Sequence, residues 1–363
     1  MLYCKKCGAE VEESFRFCEK CFANLKEEGA VVSNCGIASG IAADAMQKGI
    51  FSPDAVVYDY DFSGCSIEGC RLTEKLGSDF ESDFYTAVDE YDMSKKYIVR
   101  YFRISEKMFV DRSSIISGQR HNTTVKDIAH MCSEEVAEYR KKCEKTGIKC
   151  MPVKAVTYVS SDKLNCHNFI ICDYAVPFFV YMQQNRVTIR NVVKIAVKIC
   201  EQLIEFERNN IMYNSIYESN IYIKDNEVYL AAEIDRAIQQ RFVDTAVSQG
   251  YSMYVPPEVI EGKSYALYSL AVMLYRMFNG GNLPYMNYYN DTFEYADYMR
   301  AEQLRCSYAE LQLPVNAENM LGSMLKGIIS ADDWYNIRIS DVKNTLENAL
   351  DYLSAEELDR KIY

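Results

Sequence analysis

The sequence predicts an α+β fold, because residues with strand character come first and long helices follow. Between residues 71 and 104 two β-rich stretches flank a turn. The second, YIVRYFRI (97–104), is a continuous β-branched and aromatic run that is typical of a central strand. A helical pattern covers 125–145, and further helices are expected at 189–209 and 266–278. We therefore expect a small sheet-rich part followed by a larger helical part.

The composition is that of a globular protein, with 49% apolar and 25% charged residues in a chain of 363. A formal net charge of −12 repels nucleic-acid phosphates and anionic lipids. We therefore expect a protein partner and neither a nucleic acid nor a membrane. The longest apolar run, around 265–278, is too short to span a bilayer, and the first residues lack the apolar run of a signal peptide. Ten of the fourteen cysteines lie after residue 30 without paired spacing, which favours a reduced, cytoplasmic location without disulfides.

The N-terminal residues 1–25 carry four cysteines with the spacing C-x2-C-x10-C-x2-C, namely Cys4, Cys7, Cys18 and Cys21. Each pair forms a tight knuckle that presents two thiolates, and the segment between the pairs is long enough for a hairpin, as in a zinc ribbon. Four thiolates complete the tetrahedral coordination of zinc and leave no position for water, so a structural zinc ion is expected. A redox-active dithiol pair is the alternative. Residues 26–70 are rich in Gly, Ala and Ser and are expected to form a linker that could hold one short strand.

The rest of the chain contains a series of motifs in a specific order. These are LGSDFES (76–82), YIVR (97–100), ICDYAVPFFVYM (171–182), IMYNSIYESNIYI (211–223), VYLAAEID (228–235) and YVPPEVIEGKSYALYSLAVMLYRMFNGGNLPY (254–285). They resemble, in turn, the glycine-rich loop, the lysine-bearing strand, the hinge, the catalytic loop, the metal-binding turn and the P-E motif with its following helix in the protein-kinase family. The resemblance implies a two-lobed fold, with a sheet lobe at 71–175 and a helical lobe at 176–363. A ribbon joined to such a domain is similar to bacterial serine/threonine kinase relatives.

At the nucleotide-binding positions that the resemblance implies, the sequence departs from the family. Gly77 alone remains of the three loop glycines, with Asp79 and Ser82 at the other two places. Arg100 replaces the phosphate-pairing lysine, and Glu135 stands where the family places the partner of that lysine. Arg100 and Glu135 are expected to form an ion pair, either within the cleft or merely at the surface. If a nucleotide binds at all, Gly77 and Arg100 are the residues expected to hold it.

The catalytic and metal-binding positions are also replaced. Ser215 stands where the resemblance places the aspartate that orients the substrate hydroxyl, so that carboxylate is missing. Asn220 is retained and is expected either to bind a metal or to cap the loop. Ala232 replaces the aspartate that holds magnesium, and Ala266 replaces the aspartate that braces the catalytic loop. These replacements predict impaired use of ATP and magnesium.

Two carboxylates could restore part of this chemistry. A shift of one residue would offer Glu233 as a metal ligand, and Glu218 could act as an alternative base. The resemblance also implies an ion pair between Glu258 of the P-E motif and Arg338, which would anchor the helical part.

Three functions follow from these observations. The first is a pseudokinase, a catalytically impaired scaffold that binds a protein partner and carries a structural zinc site. The second is a divergent serine/threonine kinase or another nucleotide-using transferase that employs Arg100, Asn220 and Glu233. The third is a nucleic-acid or ribosome binder led by the zinc ribbon, against which the negative charge argues.

Overall fold

The computed structural model describes residues 2–3, 10–11, 61–78, 82–105, 125–160, 165–184, 186–214, 216–232, 253–286, 295–317 and 319–362. The strands are β1 Leu2–Tyr3, β2 Glu10–Val11, β3 Ser66–Ile67, β4 Cys70–Ser78, β5 Ser82–Asp89, β6 Lys96–Ser105, β7 Val153–Ser160, β8 Asn165–Asp173, β9 Val176–Pro177, β10 Ile221–Lys224 and β11 Glu227–Leu230. The helices are α1 Val125–Thr146, α2 Phe178–Gln184, α3 Ile189–Arg208, α4 Ala266–Phe278, α5 Tyr295–Cys306, α6 Met320–Ile329, α7 Ile339–Tyr352 and α8 Ala355–Leu358. Short 3-10 helices span Glu218–Asn220 and Trp334–Asn336. The predicted α+β class is confirmed.

Six strands form one antiparallel sheet in the order β3, β4, β5, β6, β8, β7. β6 lies inside this sheet between β5 and β8, which confirms the central strand predicted at 97–104. Its side chains alternate between two buried faces. Ile98 and Phe102 join the core shared with the helices, whereas Val99 and Tyr101 pack in a second cluster on the opposite face. Because both faces are covered, apolar residues occupy neighbouring positions of the strand instead of alternating ones, interrupted only by Arg100 and Arg103 within 97–104.

The second face of the sheet is covered in part by residues that precede β4. The ring of Phe62 lies 4.7 Å from that of Tyr101 and 5.4 Å from that of Phe169, measured between centroids. β3 pairs with β4, and Cys70 is fully buried. Within 61–70, which the sequence assigns to the linker, β3 therefore belongs to the sheet and Phe62 packs on it.

The helical part is built around α4. All of its side chains except that of Arg276 are buried, as expected for a helix inside a core rather than on its surface. α4 contacts α3 and α6, and α3 packs along α7. Thr188 begins α3 with a reciprocal capping box that involves Asn191 and satisfies amides of the first turn. A separate sheet of β9, β10 and β11 lies beside α2 and α3.

The N-terminal region is described only at β1 and β2, which pair antiparallel with Leu2 opposite Val11. Cys4 and Cys7 fall between these two strands in the sequence, and all four predicted zinc ligands lie outside the described residues. Across the described ranges, none of the helices combines the length and apolar character needed to cross a bilayer.

Candidate functional site

The candidate site lies where the sheet meets the helical part, and Arg100 is at its centre. Arg100 lies on β6 opposite Phe84 of β5, and only 3% of its surface is exposed. Its guanidinium carbon lies 5.7 Å from the centroid of the Phe84 ring, within the range of a cation–π contact. A charge buried to this extent requires hydrogen-bonding partners to offset the loss of water.

Arg100 makes hydrogen bonds to both sides of the site. Its Nε donates to the Oγ of Ser82 at 2.7 Å, and its Nη1 donates to the Oδ1 of Asn220 at 3.1 Å. Ser82 is buried at the start of β5, and Asn220 has no exposed surface at the end of its 3-10 helix. Arg100 thus connects the sheet with the segment that leads into β10. Arg100, Ser82 and Asn220, which stand at three of the positions that the resemblance assigns to nucleotide binding, are thus brought together by one side chain.

Glu135 lies on α1 and is half-buried, with its Oε2 atom shielded from solvent. α1 packs against β6, β7 and β8, so Glu135 belongs to the helix that covers this face of the sheet. The predicted pairing of Glu135 with Arg100 stays a prediction.

The ring of Phe179, on α2, packs against β4 and β5. It packs edge-on against Phe84 with centroids 4.9 Å apart and is 7% exposed. A Cβ atom at Gly77 would lie 3.4 Å from the Cε2 atom of Phe179 and 3.3 Å from the Oε1 atom of Gln183. Gly77 therefore permits a close approach of β4 to α2. The ring of Phe179 lies directly next to this glycine.

The loop that precedes β10 is held by the serines of α4 and of the turn before it. The Ser269 hydroxyl donates to the carbonyl oxygen of Ile216 and accepts from the amide of Ile216, both at 2.9 Å. Ser264 donates to the carbonyl oxygen of Tyr213. Ala266, as predicted, offers no carboxylate, and these two hydroxyls bind the loop backbone instead. Sequence reasoning missed both serines, although a hydroxyl within the apolar run of α4 was a detectable signal, since a buried polar group requires a partner.

The side chain of Glu218, the predicted alternative base, contacts Arg276 and Tyr254. It is 7% exposed, and its Oε1 lies 3.2 Å from the Nη1 of Arg276 on α4. Its Oε2 accepts a hydrogen bond from the hydroxyl of Tyr254 at 3.4 Å, and that hydroxyl in turn accepts from Arg276. Both carboxylate oxygens thus have structural partners, which leaves Glu218 poorly placed to accept a substrate proton.

The remaining predicted positions are distributed as follows. Ala232 is buried just after β11, and the amide of the preceding Ala231 donates to the carbonyl oxygen of Asn220 at 2.9 Å. Ser215 and Glu233 lie outside the described residues. Their predicted roles stay predictions.

An aromatic cluster supports the segment around Ala232. Tyr213 packs against Phe206 at 5.4 Å and Tyr139 at 6.1 Å between ring centroids. The Tyr213 hydroxyl donates to the carbonyl oxygen of Ala231 at 2.8 Å, and the Tyr139 hydroxyl donates to that of Leu230 at 3.1 Å. Tyr139 therefore connects α1 with the end of β11.

Glu258 and Arg338, predicted to form an anchoring pair, are both exposed, and no ion pair joins them in the part of the chain that the structure describes. Arg305 of α5 holds the same segment. It is 4% exposed, and its Nη1 donates to the carbonyl oxygens of Met253 and Val255. The backbone that precedes the P-P-E sequence is thus anchored by an arginine from a different helix.

No group of three or more His, Cys, Asp or Glu side chains suited to a metal ion occurs among the described residues. The four N-terminal cysteines lie outside those residues. The predicted zinc site therefore stays a prediction.

No family model matches the chain. Among curated proteins, the serine/threonine-protein kinase STY46 of Arabidopsis thaliana is 28% identical to it over 113 residues. The match covers 30% of this chain and 19% of the plant kinase. This chain thus has a distant relationship to protein kinases that involves a minor part of each protein.

Proposed function

We propose that this protein is a pseudokinase, a cytoplasmic two-lobed scaffold that binds a protein partner instead of transferring phosphate and carries a structural zinc ribbon. The environment of Arg100 carries the proposal. In the family that the motifs resemble, a lysine at this place pairs with phosphate and an asparagine binds the metal. Here the guanidinium that replaces the lysine is hydrogen-bonded to Asn220 and Ser82. The groups that would meet phosphate and metal are thus bonded to each other.

The side chains that occupy the candidate site support the same proposal. A nucleotide needs space beneath the glycine-rich loop and backbone amides free to approach its phosphates. The ring of Phe179 lies next to Gly77, and Arg100 occupies the region next to Ser82. Binding of a nucleotide would require both side chains to move and the buried Arg100 to exchange its partners, at a cost in free energy.

A thermal-shift titration with ATP, with and without magnesium or manganese, tests the proposal. A ligand at a hundred times its dissociation constant stabilises the folded state by about 2.7 kcal/mol, which is easily measured. We expect no shift at millimolar ATP under any of these metal conditions. A saturable, metal-dependent shift of the melting temperature would contradict the proposal that Arg100, Ser82 and Asn220 are bonded to each other instead of to a nucleotide.

A divergent serine/threonine kinase is the second candidate, favoured by the match to the plant kinase and by the retained Asn220. It requires transfer of labelled phosphate from ATP to a protein substrate or to the chain itself. The transfer should disappear in Glu233→Ala and persist in Glu356→Ala, an exposed position on α8. That pair of results would overturn the pseudokinase proposal, whereas absence of transfer in the unaltered chain removes this candidate.

A further inference from the structure

A lysine ammonium and a buried thiol are in direct contact at one end of the six-stranded sheet. Cys70 begins β4, is a free thiol and has no exposed surface. Lys154 lies near the start of β7, and its Nζ donates a hydrogen bond to the Sγ of Cys70 at 3.0 Å. A charged nitrogen thus rests against a buried sulfur, which is not the environment of a cysteine that merely fills space in a core.

This contact joins two strands that are not neighbours. β5, β6 and β8 lie between β4 and β7 in the order of the sheet. In a flat sheet the four strand spacings would separate β4 from β7 by about 19 Å, which exceeds the reach of a lysine side chain. The sheet is therefore curled at this end, and Lys154 spans the gap from the edge strand to β4.

Two further groups fix the position of the ammonium. Its Nζ lies 3.3 Å from the Oδ2 of Asp89, the residue of β5 that pairs with Cys70, and 4.3 Å from the centroid of the Tyr97 ring. The hydroxyl of Tyr97 donates to the same Oδ2 at 3.3 Å, so Asp89 is held in place as well. Lys154 keeps 30% of its side-chain surface exposed, which gives small solutes an approach from its side. A nitrogen, a sulfur and a carboxylate that can accept a proton are thus assembled in one place.

In the resting state the pair is a thiol and an ammonium. Burial raises the pKa of the Cys70 thiol, and the hydrogen bond from Lys154 opposes this only in part. Partial burial would lower the pKa of Lys154, but its hydrogen bonds to Cys70 and Asp89 outweigh that effect and raise it. The contact therefore persists without reaction until the sulfur is oxidised, because an oxidised sulfur is an electrophile next to the nitrogen.

We propose that Cys70 and Lys154 form a reversible, oxidation-dependent cross-link, a sulfenamide in which Sγ is bonded to Nζ. Hydrogen peroxide transfers one oxygen to the Cys70 sulfur, and its other oxygen leaves as water with the thiol proton, so that a sulfenic acid forms. The Lys154 nitrogen then attacks this sulfur. The S–N bond forms, the S–O bond breaks, the hydroxyl leaves as water with one ammonium proton, and a second ammonium proton passes through Asp89 to the solvent. A small thiol such as glutathione attacks the sulfur and protonates the departing amine, and a second thiol reduces the mixed disulfide that results.

The cross-link has a structural effect because of the strands that it joins. It would tie the edge strand β7, on which α1 packs, to β4 across the curl of the sheet. A covalent bond between residues 70 and 154 also closes a long loop in the unfolded chain, which favours the folded state. Oxidation should therefore raise the melting temperature, and a thiol reductant should return it to its original value.

Peptide mapping of the full chain tests the proposal. In the reduced chain trypsin releases Cys70 in the peptide 49–71 and cleaves after Lys154 to give 150–154 and 155–163. After peroxide treatment and alkylation of the remaining thiols, we expect 49–71 joined to an uncleaved 150–163, with a mass lower by two hydrogen atoms and with Cys150 alkylated. Reduction should separate the two peptides and restore cleavage after Lys154.

Three results of this mapping would show that the proposal is wrong. One is a Cys70 that becomes a sulfinic acid without any cross-link. Another is a disulfide through Cys150, with cleavage after Lys154 retained. The last is a Cys70 that remains a thiol at a peroxide dose that fully oxidises the exposed Cys306.

Three variants identify the two bonded atoms. Lys154→Arg keeps a cation beside Cys70 but lacks the primary amine, so Cys70 should proceed to the sulfinic acid and the oxidation-dependent rise in melting temperature should vanish. Cys70→Ser should show neither the cross-link nor the rise. Cys65→Ser, the matched control within the same tryptic peptide, should show both. A cross-link that persists in Lys154→Arg, or that is lost in Cys65→Ser, would overturn the assignment.

Discussion

The Nη1 of Arg100 and the Oδ1 of Asn220 lie 3.1 Å apart, although the two residues are separated by 120 positions in the chain. One belongs to the central strand of the sheet and the other to the segment that leads into β10. Because both side chains are buried, the hydrogen bond connects the sheet-rich and helical parts where water does not compete with it. The stability of the chain should therefore depend on this contact.

A double-mutant cycle measures the contact. Arg100→Met keeps most of the aliphatic volume, and Asn220→Ala removes the acceptor, so each leaves a buried polar group without this partner. Each change should lower the free energy of unfolding by about 1–3 kcal/mol. In the double variant the loss should be smaller than the sum by about 0.5–3 kcal/mol, as measured by urea denaturation. Arg208→Met, at an exposed position of α3, is the matched control and should change stability by less than about 0.5 kcal/mol. Additive losses would mean that the two side chains act independently.

Ser269→Ala should destabilise the loop that precedes β10. The amide and carbonyl of Ile216 would both lose the hydroxyl to which they are bonded in a buried environment. We expect a loss of about 1–3 kcal/mol in the free energy of unfolding and faster hydrogen exchange at the Ile216 amide. Ser340→Ala, exposed on α7, serves as the control. Unchanged exchange at Ile216 would show that Ser269 does not brace the loop.

Glu218→Gln should lower the stability of the folded chain. The variant keeps the size of the side chain but removes the charge that faces Arg276 at 3.2 Å. The expected loss is about 1–3 kcal/mol in denaturant titrations. The exposed Glu310, whose Oε1 lies 3.0 Å from the Nζ of Lys326, provides a comparison, and Glu310→Gln should cost less than about 1 kcal/mol. A selective loss of phosphate transfer in Glu218→Gln would instead restore Glu218 as a base.

The full chain should contain about one zinc ion, measured by elemental analysis after gel filtration. Cys18→Ser should lower the zinc content, because three thiolates bind the ion less completely than four. Cys306→Ser should retain zinc, since Cys306 lies in α5 outside the C-x2-C pairs. Equal zinc in the two variants, or none in the unaltered chain, argues against the ribbon.

Alkylation of Cys150 should depend on pH in a characteristic way. Its pKa is lowered chiefly by the Cys143 thiol, so the reactive thiolate is present above a pKa that lies below the usual thiol value and is lost as the pH falls through it. Cys143→Ala removes this cause and should shift the pH–rate curve to higher pH. The rate is followed by mass spectrometry of the peptide 150–154, which trypsin releases by cleavage after Lys149 and Lys154, and Cys306→Ala is the control. A curve that does not move would place the cause elsewhere, with Arg140 as the next candidate.

Much of the secondary structure could be predicted from the sequence. The structure has α4 at the predicted 266–278, and α1 and α3 differ from their predicted ranges by one residue each. Such segments are long and strongly periodic, so local sequence is sufficient to identify them. The strand at 97–104 was recognisable because β-branched and aromatic residues occupy neighbouring positions around Arg100 and Arg103, which reflects burial on both faces.

The hydrogen-bond partners within the candidate site could not be predicted from the sequence. The replacement of a lysine by Arg100 is visible in the sequence, but its hydrogen bonds to Ser82 and Asn220 depend on how distant strands and loops pack. Arg305 was missed for the same reason, because its partners are backbone carbonyls that carry no signature of their own. A motif predicts which residue types are present, whereas their partners are decided by tertiary structure.

Ser264 and Ser269 hold the loop before β10 with hydroxyl groups and not with a carboxylate. Ser264 and Ser269 are neutral, and neither hydroxyl gains or loses a proton in the pH range where proteins remain folded. An aspartate in the same role would lose its charge, and part of its hydrogen-bonding capacity, in acid. The hydrogen bonds that these two serines make to the backbone of Tyr213 and Ile216 therefore do not depend on a charge that acid removes or salt screens.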